Sequence, residues 1–513
     1  MADSSQGISR LRVVAWAALA ALLFAAVIAL VGVLTGFYTP LNDFWGNWHL
    51  AQKLDLRDWN TFYDGFFPVG YTVLLRGLAG FHFPSEPGLG INVVLAWLLA
   101  FALFGGLRLR GLGFLPCLIA SSGVLLFPKI FDYLYTPGAD AGAMVFFTLG
   151  SFALLLALLA PAPRAWRYAT AGVFLGMAGL WRYHALLGAA SLLVAVSIVY
   201  RKHIAGIMLA LASCGVVYGC QIAVNVRSGH SPFQTYEAFN IYQHVHQVNW
   251  YHTASLASVS TPLSVFFADP HAFLSSYLAT FVGLFLALSA PLVLCPFSKD
   301  DHLRRAAMAW LGFCLLYCGF MATADSGRAV LLALPISLSF LGVSGHALWV
   351  DQFPVLSATR PWLRPVGAIV VALFLGACAT KDVASVVSWR RTSHHYHALE
   401  QVCLREGVTH AEQVYSTDFN LHFHSIRPFH PANSGGWLDL PMYHAKGEVR
   451  GPALASEKAF IQDCRDRGIH IIHLTPGCKR AAAFLHRIYA TPNAAKSMKL
   501  IAEIGPSRLF RLE

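Results

Sequence analysis

A carboxylate stands just past the first long apolar run: Asp43, in Thr39-Pro40-Leu41-Asn42-Asp43-Phe44-Trp45-Gly46-Asn47-Trp48. Ionisable groups at a membrane edge are costly, so each one asks for a function. Three further sets share this character. Asp132 and Asp140 flank Tyr133-Leu134-Tyr135-Thr136-Pro137-Gly138. Arg182 and His184 lie in Leu180-Trp181-Arg182-Tyr183-His184, and Asp325 and Arg328 in Ala324-Asp325-Ser326-Gly327-Arg328. Such a set can hold an anionic lipid headgroup between guanidinium forks and leave a carboxylate facing a second substrate. Each member also has a plainer use. Trp45 and Trp48 suit an aromatic belt, Arg182 and Arg328 can pair with Asp140 and Asp325, Asp140 can cap its helix, and Asp43 can be a solvated loop acid.

The elements that must position these residues follow from hydropathy. The chain has 513 residues, 56% hydrophobic and 12% charged, about half the charged share of a soluble domain. Apolar runs of about 20 residues make it a polytopic α-helical membrane protein. Spans are expected near 12–37, 88–107, 112–128, 138–160, 168–182, 184–200, 204–224, 273–295, 306–323, 328–349 and 365–380, about eleven in all. The first is too long for a signal-peptide core and is expected to stay as a span. The net charge of +11 does not point to nucleic acid, because it is concentrated in alternate short loops. Arg10 and Arg12, Arg108 and Arg110, Arg164 and Arg167, Arg201 and Lys202, Lys299, Arg304 and Arg305, and Arg360 and Arg364 mark one side. The positive-inside rule makes that side, and the amino terminus, cytoplasmic. Residues 381–513 then lie outside as a domain separate from the transmembrane module, 1–380.

Three segments face outward. Residues 38–87 form an aromatic loop with short amphipathic helices near 47–56 and 68–78, and the apolar stretch 66–81 is expected to lie in the interface. Residues 225–272 form a second long loop. The tail alternates helix-like segments (394–406, 455–467, 479–490) with strand-like ones (412–416, 420–425, 469–474, 499–504, 507–512), reading as an α/β domain. Of ten cysteines, seven fall in spans. Cys403, Cys464 and Cys478 lie in the tail, where three thiols allow at most one bridge of open pairing. The histidines at 244, 246, 252, 394, 395, 397, 422, 424 and 430 show no zinc spacing and read as interface or strand-surface residues.

Several stretches, taken in order, resemble the GT-C glycosyltransferases. An acid follows the first span, and then comes Asp64-Gly65-Phe66-Phe67-Pro68-Val69-Gly70-Tyr71-Thr72-Val73-Leu74-Leu75. Gly176-Met177-Ala178-Gly179-Leu180-Trp181-Arg182-Tyr183, Gly327-Arg328-Ala329-Val330-Leu331-Leu332-Ala333-Leu334-Pro335 and Asn433-Ser434-Gly435-Gly436-Trp437 follow in turn. The branch most similar is that of the protein O-mannosyltransferases and the lipid A aminoarabinose transferase. Many members carry Asp-Glu after the first span; here Asn42-Asp43 precedes Phe44, so a single acid is implied. The resemblance implies an inverting hexosyl- or pentosyltransferase of the bacterial inner membrane with a periplasmic tail. Its donor would be a polyprenyl-phosphate-linked sugar, and its acceptor a glycan, lipid or protein. Asp43 would be the catalytic base, Asp140 a second acid, and Arg182 and Arg328 the donor-phosphate contacts. Trp45, Trp48 and Tyr71 would stack on sugar, with Asp64 and Tyr183 also binding substrate. The resemblance names no certain cofactor, and a divalent metal stays open. A transporter of lipid-linked saccharides and an inactive assembly protein on the same fold are the alternatives; the absence of repeat symmetry disfavours the transporter.

Overall fold

The computed structural model describes residues 2–36, 44, 47–48, 50–51, 54, 67–78, 85–109, 112–160, 163–233, 241–242, 244–245, 262–322, 326–351, 363–410, 413–418, 421, 456–480, 482–492 and 497–513. Helices dominate. They are α1 (Ala2–Leu34), α2 (Val69–Gly77), α3 (Ser85–Leu109), α4 (Phe114–Leu125), α5 (Pro128–Tyr135), α6 (Ala139–Leu158), α7 (Ala165–Trp181) and α8 (Tyr183–Val199). There follow α9 (Ile204–Arg227), α10 (Pro262–Ala268), α11 (Pro270–Ser289), α12 (Asp301–Met321), α13 (Ser326–Asp351), α14 (Leu363–Arg405), α15 (Glu457–Asp466) and α16 (Ala483–Ala490). Every expected apolar run falls on a helix. Among the described residues, seven helices are long and apolar enough to cross a membrane, and the bent pair α4–α5 makes an eighth. The chain is a multi-pass helical membrane protein with a small carboxy-terminal sheet.

Two expectations need correction. The third span is not straight: α4 and α5 meet at 69°. Pro128 opens α5, and the residue before it, Phe127, is extended at φ −64°, ψ 121°. Proline lacks the N–H to continue α4 and disfavours helix in its predecessor. The last span and the helix expected at 394–406 are one helix, α14, of 43 residues. At about 1.5 Å per residue it is roughly twice the length of a bilayer core, so it carries the tail on its own axis.

Close packing at the centre depends on glycine. A Cβ on Gly172 would lie 2.1 Å from the Ala210 carbonyl oxygen, and one on Gly176 2.8 Å from that of Cys214. Spaced by four, these glycines let α7 lie against α9 backbone to backbone. The same helix bears Trp181 at its end, so the glycine stripe sets where Arg182 emerges.

The tail sheet has the order β1-β2-β4-β3, with β1 (Val414–Ser416), β2 (Ile471–Leu474), β3 (Met498–Ile504) and β4 (Ser507–Leu512). β1 and β2 are parallel, joined across α15; β4 is antiparallel to both β2 and β3. Gly505 turns the β3–β4 hairpin at φ 53°, a conformation that favours glycine. Alternate residues serve opposite faces. Ile471 and Leu509 pack with Tyr396, Leu399 and Cys403 of α14. Ile472 and Phe510 pack with Phe460 and Cys464 of α15 and with Leu485 and Ile488 of α16. The strand expected at 420–425 lies outside the described residues except for Leu421. Cys403, Cys464 and Cys478 are free and buried. Burial pushes the thiols of Cys464 and Cys478 up, to about 12 and about 11.

A polar chain ties α14 to the sheet. His395 Nε2 lies 2.9 Å from Ser507 Oγ, Ser507 Oγ lies 2.8 Å from His473 Nε2, and His473 Nδ1 lies 2.8 Å from Ser416 Oγ. Tyr396 donates to Asp418 at 2.7 Å. His473 is wholly buried. That burial holds its pKa down to about 4; Asp418 works in the opposite direction and His395 in the same one. Its stabilising contribution is therefore complete above the unfolded value of about 6.5 and is lost as pH falls toward 4. The tail should lose roughly 2 kcal/mol between pH 7.5 and 5 from this group alone. Chemical denaturation of the full chain at the two pH values checks this, with His473→Gln flattening the difference. An equal pH slope in the variant would assign the effect elsewhere.

Candidate functional site

The site forms where α5, α6, α7, α8 and α13 begin or end at one end of the bundle. Thr136, before Pro137, is extended at φ −79°, ψ 115°, as a residue preceding proline tends to be. Asn92 of α3, itself buried, donates through Nδ2 to the carbonyls of Thr136 at 2.8 Å and Tyr133 at 3.4 Å. That clamp fixes the turn from which α6 starts. Asp140 then falls in the first turn of α6, where the exposed N–H groups and helix dipole favour a carboxylate.

Arg182 is the break between α7 and α8, extended at φ −147°, ψ 129°. Its guanidinium Nη2 donates to Asp140 Oδ2 at 2.6 Å. Arg328, in the first turn of α13, places Nε 3.9 Å from the same oxygen. Asp140 is 3% exposed, Arg182 10% and Arg328 30% at the side chain. One acid is thus shared by two guanidiniums. Among the described residues the group holds one carboxylate and two guanidiniums, and Arg328 is its most exposed member.

Residues between α1 and α3 pack around this group. Tyr71 of α2 is buried, its ring centroid 4.9 Å from that of Trp181. Trp181 lies on Gly142, where a Cβ would come within 2.0 Å of the indole. Burial raises the Tyr71 hydroxyl above its usual range, with the Arg182 charge opposing it. The hydroxyl is neutral, buried and without a hydrogen-bond partner. Val69 N donates to Gln221 Oε1 at 2.7 Å, and Gln221 Nε2 donates to Asn225 Oδ1 at 2.8 Å, pinning α2 to α9. Thr72 donates to Asn47 Oδ1 at 3.1 Å. Phe44 is buried beside Trp48, ring centroids 6.3 Å apart. A Cβ on Gly88 would meet Phe44 at 2.5 Å and Pro137 at 2.8 Å. Phe44 is therefore wedged beside the turn that leads to Asp140.

Of the residues expected to act, Asp140, Arg182 and Arg328 come together, with Tyr71 beside them and Tyr183 half-buried next to Arg182. Trp48 and Tyr71 spend ring surface on Phe44 and Trp181 rather than on open space. Asp43, Trp45 and Asp64 lie outside the described residues, as does Asp325. Asp132 is separated from Asp140: it turns toward α14, where Ser385 bonds it. Asn92 and Gly142 are additions that the expected set lacks. A lone asparagine within an apolar run is the signal that points to the first; Gly142 had none. Among the described residues no group of three or more His, Cys, Asp or Glu is arranged to hold a metal.

Comparison with solved structures places this arrangement. ArnT from Cupriavidus metallidurans, crystallised with undecaprenyl phosphate, superposes with a TM-score of 0.52 over 95% of this chain and 97% of its own, at 13% identity. Its apo crystal form gives 0.53 at the same identity and coverage. The chain has the fold of ArnT. At 13% identity the likeness is one of fold, and it spans both the membrane bundle and the tail. The archaeal oligosaccharyltransferase AglB from Archaeoglobus fulgidus, in complex with an inhibitory peptide and a dolichol-phosphate, lies further off, with a TM-score of 0.46 at 13% identity over 90% of this chain and 70% of that one. No family model matches, and no curated protein matches by sequence. The likeness thus rests on three-dimensional arrangement.

Proposed function

We propose that the protein is a membrane glycosyltransferase that moves a sugar from a polyprenyl-phosphate donor to an acceptor at the outer face of the bacterial cytoplasmic membrane. The observation that carries this reading is the Arg182–Asp140–Arg328 group at one end of a GT-C bundle. The ArnT structure of the same fold holds undecaprenyl phosphate, a carrier of the same chemical class as the proposed donor. In the reaction an acceptor hydroxyl attacks the anomeric carbon from the face opposite the phosphate. The new carbon–oxygen bond forms as the bond to phosphate oxygen breaks, so the anomeric centre inverts. The hydroxyl proton passes to the Asp43 carboxylate, and the lipid phosphate leaves with the bonding electrons. Arg328, at the open side, meets the growing phosphate charge, while Arg182 stays fixed by Asp140. Tyr71, a neutral buried donor beside Arg182, adds a hydrogen bond to the same region. The acceptor is a glycan, a lipid or a protein on that face.

Arg328→Ala tests the phosphate assignment with little risk to the fold, since Arg328 is the longer and more exposed contact to Asp140. Its donor KM should rise about 10- to 100-fold, the loss of a charge-assisted hydrogen bond, and Arg328→Lys should recover only part of it. Donor titrations in reconstituted vesicles measure both. A variant whose donor dependence matches the parent would remove Arg328 from the phosphate site.

A further inference from the structure

Away from the Asp140 group, a second concentration of buried carboxylate oxygen lies on the seam between α5 and α14. The pairing of the two helices is fixed at one point by Tyr135 and Trp389, whose rings stack with centroids 4.3 Å apart. One turn earlier on each helix, Ser385 hydrogen-bonds Asp132. Asp382 is one turn before Ser385, on the stripe that carries Ser385 and Trp389. It is 5% exposed. Both its carboxylate oxygens and Oδ1 of Asp132 are buried without a hydrogen-bond partner. The neighbouring cations do not supply one: Lys381 acts on both acids only through its charge, and Lys129, on the first turn of α5, donates nothing to Asp382.

Two carboxylates within electrostatic reach of each other on one seam, with three donor-less oxygens, are unstable as they stand. A shared proton joins two of those oxygens and leaves the third bare. A hard cation engages all three, and Mg²⁺ commonly takes one or two carboxylates while keeping water in its remaining positions. We propose that Asp132 and Asp382 hold a divalent cation of the Mg²⁺ class across this seam, with the Ser385 hydroxyl beside it. The site is independent of the proposed transfer reaction. Its effect is mechanical: α5 leads directly into the turn that positions Asp140, and α14 carries the tail. The cation ties these two together.

The test is thermal unfolding of the full chain in detergent at pH 7.5, with chelator and then with Mg²⁺ or Ca²⁺ added. The parent midpoint should rise saturably by about 3–8 °C. Asp382→Asn should start higher than the parent in chelator, because the like-charged pair is gone, and should gain nothing from cation. Asp132→Asn, at the more exposed position, carries the same comparison if Asp382→Asn does not fold. A parent that ignores both cations overturns the proposal, and so does a variant that keeps the full rise. A cation-independent rise on acidification that disappears in Asp382→Asn also overturns it and assigns a shared proton instead.

Discussion

Arg182→Met should be the most destabilising single change at the site, costing about 3–5 kcal/mol, the usual penalty for stranding one member of a buried ion pair. Two magnitudes compete here. Hydrogen bonds between membrane helices average only about 0.6 kcal/mol, which alone would make the variant mild. The larger figure wins because what remains is a buried charge: Asp140, 3% exposed, with Arg328 Nε 3.9 Å away. The double variant Asp140→Asn/Arg182→Met removes that charge and should recover most of the stability. It should not recover transfer, because the proposed phosphate-binding group is then dismantled. Thermal unfolding and transfer assays on the parent, both single variants and the double variant separate the outcomes. Additive losses of stability would mean that the two residues do not act as a unit, and an active double variant would move the donor phosphate elsewhere.

How far the sequence foretells this site depends on what periodicity and hydropathy measure. Both report that a segment is buried, not what buries it. The break between α7 and α8 is legible because Arg182 interrupts an apolar stretch that neither proline nor glycine interrupts at that point. Arg328 is legible for the same reason, as a charge at the start of an apolar run. The burial of Tyr71 is not legible. It depends on Trp181 lying flat on Gly142, a contact between residues far apart in the chain. Asp132 and Asp140 look equivalent in sequence, eight positions apart around one turn. The 69° bend and the Thr136-Pro137-Gly138 turn send one toward α14 and the other toward Arg182. The length of α14 is hidden for a different reason. Hydropathy falls after residue 380, but no glycine or proline appears between Gly376 and Gly407. Nothing stops the helix until Gly407 takes φ 81°, the left-handed geometry of a helix end.

The group is built from helix ends, which accounts for its sparse sequence signature. Asp140 gains from the start of α6, Arg182 from a break held by the α7 glycine stripe, and Arg328 from the start of α13. Each contributes one residue, so no contiguous motif is needed. A fold can persist at 13% identity because what it must preserve is where helices begin, and glycine and proline set that at few positions.

Asp43→Asn should give the largest loss of transfer, roughly 10²- to 10⁴-fold in kcat, the range that a positioned general base supplies. Its effect should fall on kcat, with donor KM unchanged, because the base meets the acceptor and not the phosphate. Stability should be unaffected, which distinguishes this residue from Asp140. Phe44 is buried in the wedge between Gly88 and Pro137, three residues before Asp140. Phe44 thus packs beside the turn that leads to Asp140, and the adjoining Asp43 is the acid next to that anchor in the sequence. The amide is the right replacement because it keeps the size and loses only the basicity. Steady-state kinetics with varied donor and varied acceptor measure the split. If kcat is preserved, Asp43 is not the base. A rise in donor KM instead would place Asp43 on the phosphate side and leave Asp140, already neutralised by two guanidiniums, as a poor substitute; the base would then lie on the acceptor itself or on another residue of the outer loop.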